Sequence, residues 1–220
     1  MRLVDELRAE HDLIEQVAGA FRTFADARGR RDGHAADGAR FLCFFRLFAG
    51  DFHHAREEDT LFVALAERAG LPADRGPIAV LIDDHRRLGR VLDAVDPLAS
   101  ADPLDPDDAA RLRALATEYA HGLWHHIDAE NSVLLPESEA RLRKRSILEL
   151  PSREMTQAER AARDEAADLL RRYPPANDHE IIRGDGCVLC PAFGESCRGL
   201  EREWWSESEW DELEDHLASD

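Results

Sequence analysis

The sequence predicts an all-α protein: an antiparallel up-down four-helix bundle over residues 1–150, then a small irregular and helical C-terminal extension over 151–220. Three observations carry this expectation. Apolar residues recur at helical spacing through four long stretches, the connections between them are short, and no stretch alternates as a strand would. Long helices joined by short loops leave neighbours antiparallel. A chain of 220 residues with a 44% hydrophobic fraction can fill one packed domain plus an appendage.

The first helix is expected over 3–27, with Leu3, Leu7, Ile14, Val17, Phe21 and Phe24 on one face and a break between Gly29 and Gly33. The second, over 36–69, carries Phe41, Phe44, Phe45, Phe48 and Phe52, a stripe that reads as core packing, and ends at Gly70. Cys43, set among these rings, reads as a small buried hydrophobe. The third helix, over 76–95, opens on Pro77, where a proline suits a first turn. After a polar loop from Asp96 to Pro106, the fourth spans about 107–145, with a kink or break expected at Pro136. Beyond Pro151, Thr156 and Glu159 form a capping-box pattern that opens a charged helix to about Tyr173. Ser206 to Leu217 reads as a short acidic last helix with Trp204, Trp205 and Trp210 as anchors.

Charge limits the partners. Acidic residues outnumber basic ones 46 to 28, for a net charge of −18. Such a surface repels phosphate backbones and anionic headgroups, so neither nucleic acid nor membrane is expected as a partner. No apolar run approaches 18 residues and no signal-peptide pattern is present, which makes the cytoplasm the expected location.

The chemistry lies in an internal echo. Leu7, Glu10, His11, Ile14 and Val17 return 74 residues later as Leu81, Asp84, His85, Leu88 and Val91. His53, Glu57, Leu61 and Phe62 return 73 residues later as His126, Glu130, Leu134 and Leu135. Four residues advance an α-helix by about 40° past a full turn, so each His–Glu pair shares a face. With one imidazole each from the first and third helices, four His and two Glu converge on the interior: His11, His53, Glu57, His85, His126 and Glu130. Burying that set without a metal would be costly. Mixed imidazole and carboxylate donors suit iron or manganese better than structural zinc. The echo selects His53 over its neighbour, leaving His54, Glu58 and His125 as flanking residues; His34 is expected in solvent, and His54, His121 and His125 at the surface, with a place just behind the metal ligands as the alternative.

The segments His53–Phe62 and His126–Pro136 resemble the two signature stretches of the hemerythrin-like, or HHE cation-binding, family, and the resemblance covers roughly residues 1–140. It implies a four-helix bundle around a non-haem di-iron site, bridged by Glu57 and Glu130 and by a solvent-derived oxygen. The chemistry it implies involves oxygen, nitric oxide, peroxide or iron itself. Oxygen-carrying members have a fifth histidine one turn before the third-helix ligand, where this chain has Leu81. That departure weakens the case for a simple carrier. Tyr119, seven residues before His126, is a candidate to fill the gap or to donate a hydrogen bond to a ligand.

The tail holds a separate cluster. Cys187, Cys190 and Cys197, with His179 before and His216 after, could complete a tetrahedral zinc site; a redox dithiol and no ligation at all are the alternatives. Three functions compete: a binding or sensing protein with a small diatomic or peroxide ligand, a di-iron oxidoreductase, and an interaction module whose tail recruits a protein partner. The binding or sensing reading is favoured narrowly.

Overall fold

The computed structural model describes residues 1–176, and every regular element among them is helical. Four rods are joined by short turns. The first is the α-helix Arg2–Arg30, which turns its apolar stripe from Leu3 to Phe24 into the core. It runs past Gly29 and ends at Arg31, whose left-handed φ of 65° lets its N–H cap the Ala27 and Arg28 carbonyls. Gly29 instead makes room for the Arg113 side chain.

The second rod changes pitch along its length. It passes from the α-helix Ala35–Cys43 through π-helical segments Phe44–His54 and Glu57–Phe62 to the α-helix Val63–Ala69. Gly70, at φ 79°, supplies the left-handed residue that stops it. The five phenylalanines are buried as expected, but Cys43 is not: it is exposed, because Phe41, Phe44 and Phe45 on either side of it occupy the inward face.

The third rod, Gly76–Ala99, continues through Pro97 beyond its expected end. Leu98 and Ala99 are buried and Gly38 of the second rod lies directly against the Ala99 carbonyl, so packing holds the last turn. The fourth rod runs from the α-helix Pro106–Ala129 through a π-helical segment Glu130–Leu134 to the α-helix Leu135–Lys144. Asp105 caps it, accepting from the Asp107 and Asp108 N–H groups at 2.9 Å. Pro136 neither breaks nor ends it. The pitch changes from π to α just before the proline, which falls in the first turn of the last segment.

The first rod packs on the second and fourth, and the third rod packs on the same two. A further helix, Gln157–Arg172, opens with the expected capping box at Thr156 and Glu159 and lies across the first and second rods. It is pinned where the Tyr173 hydroxyl donates to buried Asp37 at 2.8 Å and where the Ala176 N–H donates to the Gly19 carbonyl at 3.1 Å. Among the described residues no helix is long and apolar enough to cross a membrane.

The core comes in two apolar blocks. One gathers Ile14, Phe21, Phe45, Leu88, Tyr119 and Leu123; the other gathers Leu7, Leu61, Leu81 and Leu134. In the first three rods the break between the blocks falls where a histidine sits, and in the fourth it falls just past His126, between Ile127 and Ala129. The interior therefore contains one polar layer between two greasy ones.

Candidate metal centre

That layer is built by four rods, each supplying side chains at one level. His11 comes from the first, His53, His54 and Glu57 from the second, His85 from the third, His126 and Glu130 from the fourth. All seven are buried. The His–Glu pairs four residues apart point the same way, with His53 Nε2 3.4 Å from Glu57 Oε1 and His126 Nε2 3.4 Å from Glu130 Oε2. Across the rods, His11 Nε2 lies 3.6 Å from Glu57 Oε1 and 3.2 Å from Glu130 Oε2, and His85 Nε2 lies 3.6 Å from Glu57 Oε2.

The six residues expected from the echo are thus brought together, and a seventh joins them. His54, expected at the surface, is buried and stacks on His85 with ring centroids 3.8 Å apart. In a plain α-helix adjacent residues diverge by about 100°, so only one of such a pair faces inward. The π-helical pitch of this stretch closes that angle, and consecutive histidines straddle the interior face: His53 towards His11, His54 towards His85.

Four of the five inward histidines face a polar partner behind the ring. His11 Nδ1 meets Asn131 Oδ1 at 2.8 Å, His53 Nδ1 meets Glu10 Oε2 at 2.9 Å, and His85 Nδ1 meets Glu58 Oε1 at 2.7 Å. His126 Nδ1 faces Asp84 Oδ2 more loosely, at 3.7 Å. These contacts follow the echo. Glu10 and Asp84 precede His11 and His85, while Glu58 and Asn131 follow Glu57 and Glu130, so each holder is a chain neighbour of a different inward residue. A partner on Nδ1 fixes which nitrogen carries the proton and leaves Nε2 free for a metal.

The electrostatics ask for positive charge at the centre. Burial opposes protonation of His11, yet Glu130 and Glu57 outweigh it and hold its pKa up at about 10. His126 is raised against its own burial by Glu130. Burial pushes Glu57 up, and the Glu130 charge adds to that; Glu130 itself is held down, against burial, by His126 and His11. His53 and His54 are driven well below their ordinary value by burial, which keeps them neutral, the state a metal binds.

A metal ion fits these residues on two counts. Both oxygens of Glu57, both of Glu130 and Nε2 of His11 are buried and receive no hydrogen bond among the described residues, a costly state for inward-facing donors of electrons. The spacings are also those of a coordination shell. Nitrogens on one octahedral ion at about 2.1 Å sit about 3.0 Å from each other, and His85 Nε2 and His126 Nε2 are 2.9 Å apart. Two groups result, His11, His53, Glu57 and Glu130 in one and His54, Glu57, His85 and His126 in the other, each with ligand atoms within 4.8 Å of one another. They share Glu57.

An all-helical bundle with a buried layer of imidazoles and carboxylates is a metal-binding protein of the His/Glu class. The family comparison specifies it further: residues 2–138 match the hemerythrin HHE cation-binding domain, and the chain belongs to that family. No curated protein and no solved structure matches it.

Of the other candidates, Tyr119 packs its ring edge-on against Phe45 and Phe21 in the apolar block, where burial pushes its hydroxyl pKa up. Leu81 is buried in the other block. His34 and His125 are exposed and His121 half-buried against Trp124. Cys187, Cys190, Cys197, His179 and His216, with the tail tryptophans, lie outside the described residues. Sequence reasoning missed His54 and gave Glu10, Glu58, Asp84 and Asn131 no role. The last four had a signal, since each adjoins an echoed residue.

Proposed function

We propose that this chain holds two iron ions, one with His11 and His53 and one with His54, His85 and His126, with Glu57 and Glu130 between them, and that it binds or senses oxygen, nitric oxide, peroxide or iron. The observation that carries the reading is the set of four carboxylate oxygens and one imidazole nitrogen, all buried and none hydrogen-bonded among the described residues. Iron held by these residues would supply the redox chemistry for taking up such small ligands. The protein's part is to keep His53 and His54 neutral, to aim the imidazoles, to offer two carboxylates for the metal charge, and to exclude bulk water with the apolar blocks above and below. His54 bears on the choice between binding and catalysis. A fifth imidazole beside His85 answers the missing histidine at Leu81, which supports binding or sensing over oxygen-activating turnover.

The test is metal analysis of protein from iron-replete cells, followed by absorption spectra before and after peroxide or nitric oxide. Two irons per chain are expected, about one after His53→Ala or His54→Ala, and none after Glu57→Ala or Glu130→Ala. Zinc as the sole native metal would overturn the proposal.

A further inference from the structure

The echo makes the two halves of the centre look equivalent, and the structure shows that they are not. Glu10, which holds His53, is itself held by Arg56, a guanidinium that is 3% exposed. Nη1 of Arg56 also donates to Glu6 Oε2 at 3.0 Å and to Ser152 Oγ at 3.1 Å, and Ser152 Oγ donates to Glu6 Oε2 at 2.8 Å. Ser152 belongs to the strap between the fourth rod and the last helix, beyond residues 2–138 that match the family. The strap is fastened on both sides of it. Leu150 is buried in an apolar block, and Arg153 pairs with Glu159 at 2.6 and 2.9 Å and donates to the Asp51 carbonyl. Arg56 and Arg153 both lie over the Phe52 ring, 4.1 and 4.9 Å from its centre.

Among the described residues the other half has no such brace. The echo of Arg56 is Ala129. Asp84, the echo of Glu10, is held by Arg87, which is nearly half exposed, and it stands 3.7 Å from His126 Nδ1. His54 and His85 are also the most accessible of the seven, 9% and 8% exposed against 0% and 1% for His11 and His53.

We infer that Arg56, braced by Ser152 of the strap, is a positioning residue that makes the His11–His53 half the tightly held one, and leaves the His54–His85–His126 half to exchange its metal. Arg56 touches no metal-facing atom. It fixes the Glu10 carboxylate, which fixes the His53 ring, so metal leaving that half must work against an ordered chain of hydrogen bonds anchored in the strap. The inference rests on the dinuclear reading above.

The full chain is loaded anaerobically with two equivalents of iron(II) and mixed with an excess of a colorimetric ferrous chelator. Wild type is expected to release iron in two phases of one equivalent each. Arg56→Met keeps the contact with Phe52 but drops the hydrogen bonds; it should speed the slow phase about tenfold or more, the usual effect of losing a ligand's holder, and leave the fast phase unchanged. Ser152→Ala, which takes nothing from the core but loses both the bond from Arg56 and the bond to Glu6, should speed the slow phase about threefold or more, and Ser152→Thr should restore it. A general loosening of the fold would move both phases together. Two equivalents leaving wild type in a single phase, both phases moving together in Arg56→Met, or a slow phase unmoved by Ser152→Ala would overturn the inference while leaving the dinuclear reading intact. Fewer than two equivalents taken up by wild type would instead overturn that reading and the inference with it.

Discussion

Glu57→Gln is expected to stabilise the metal-free protein and to abolish its stabilisation by metal. Glu57 is fully buried, neither oxygen accepts a hydrogen bond, and its carboxylate lies 3.4–3.6 Å from Nε2 of His11, His53 and His85. Burial and the facing Glu130 push its pKa up. An acid whose pKa rises on folding costs nothing below its ordinary value of 4.5 and destabilises progressively as the pH rises through its folded value, so at neutral pH the carboxylate works against the fold. A buried polar group left unsatisfied costs about 1–3 kcal/mol, and more when it is charged. Glutamine keeps the shape without the charge, so a gain of about 1–2 kcal/mol is expected, or about 2–8 °C in Tm for a chain of this size. Metal acts in the opposite direction: at a free concentration 100 times its Kd it contributes about 2.7 kcal/mol, about 5–11 °C. Thermal unfolding followed by circular dichroism, on metal-free and iron(II)-loaded samples between pH 5 and 8, measures both. A metal-free variant that melts below wild type at neutral pH, or one that keeps the full metal-dependent rise, would refute the reasoning.

Leu81→His alone should destabilise the chain by about 2–3 kcal/mol by placing a polar ring in an apolar block, yet combined with His54→Ala it should recover iron content; a double variant no better than His54→Ala would show that the two positions do not serve one role. Glu159 is held down at about 2 by Arg153 and by the Thr156 cap, so its contribution is full above 4.5 and lost as the pH falls towards 2. Glu159→Gln should cost about 1–2 kcal/mol at neutral pH and flatten the acid limb of a stability–pH profile. Replacing Cys187, Cys190 and Cys197 together by Ser should leave the iron content unchanged and remove one equivalent of zinc; wild-type protein with no zinc, and with freely reactive tail thiols, would discount a second site.

The parts of the fold and site that were legible in the sequence are those written as periodicity. The stripe from Leu3 to Phe24 and the rings from Phe41 to Phe52 declare which faces are buried, and the Thr156–Glu159 box declares where the last described helix begins. Helix ends were less legible because contacts made elsewhere decide them: Arg28 ties the Gly33 and Ala101 carbonyls, and Gly38 seats Ala99, so rods one and three outrun their local stop signals. Cys43 was misread because an aromatic neighbourhood in sequence says nothing about which side of the helix a residue takes. His54 was passed over for a different reason. An echo finds only what occurs twice, and the repeat position of His54 is Ile127, just as that of Arg56 is Ala129. The local pattern could not supply the correction either, since His54 faces inward only in a π-helical pitch that no spacing rule for α-helices anticipates. Symmetry in the sequence therefore locates the centre, but what distinguishes one half of it from the other lies in the unrepeated residues, one beside His53 and one three positions on. Those are the residues through which a symmetric cage becomes a site with a braced side and a reachable one.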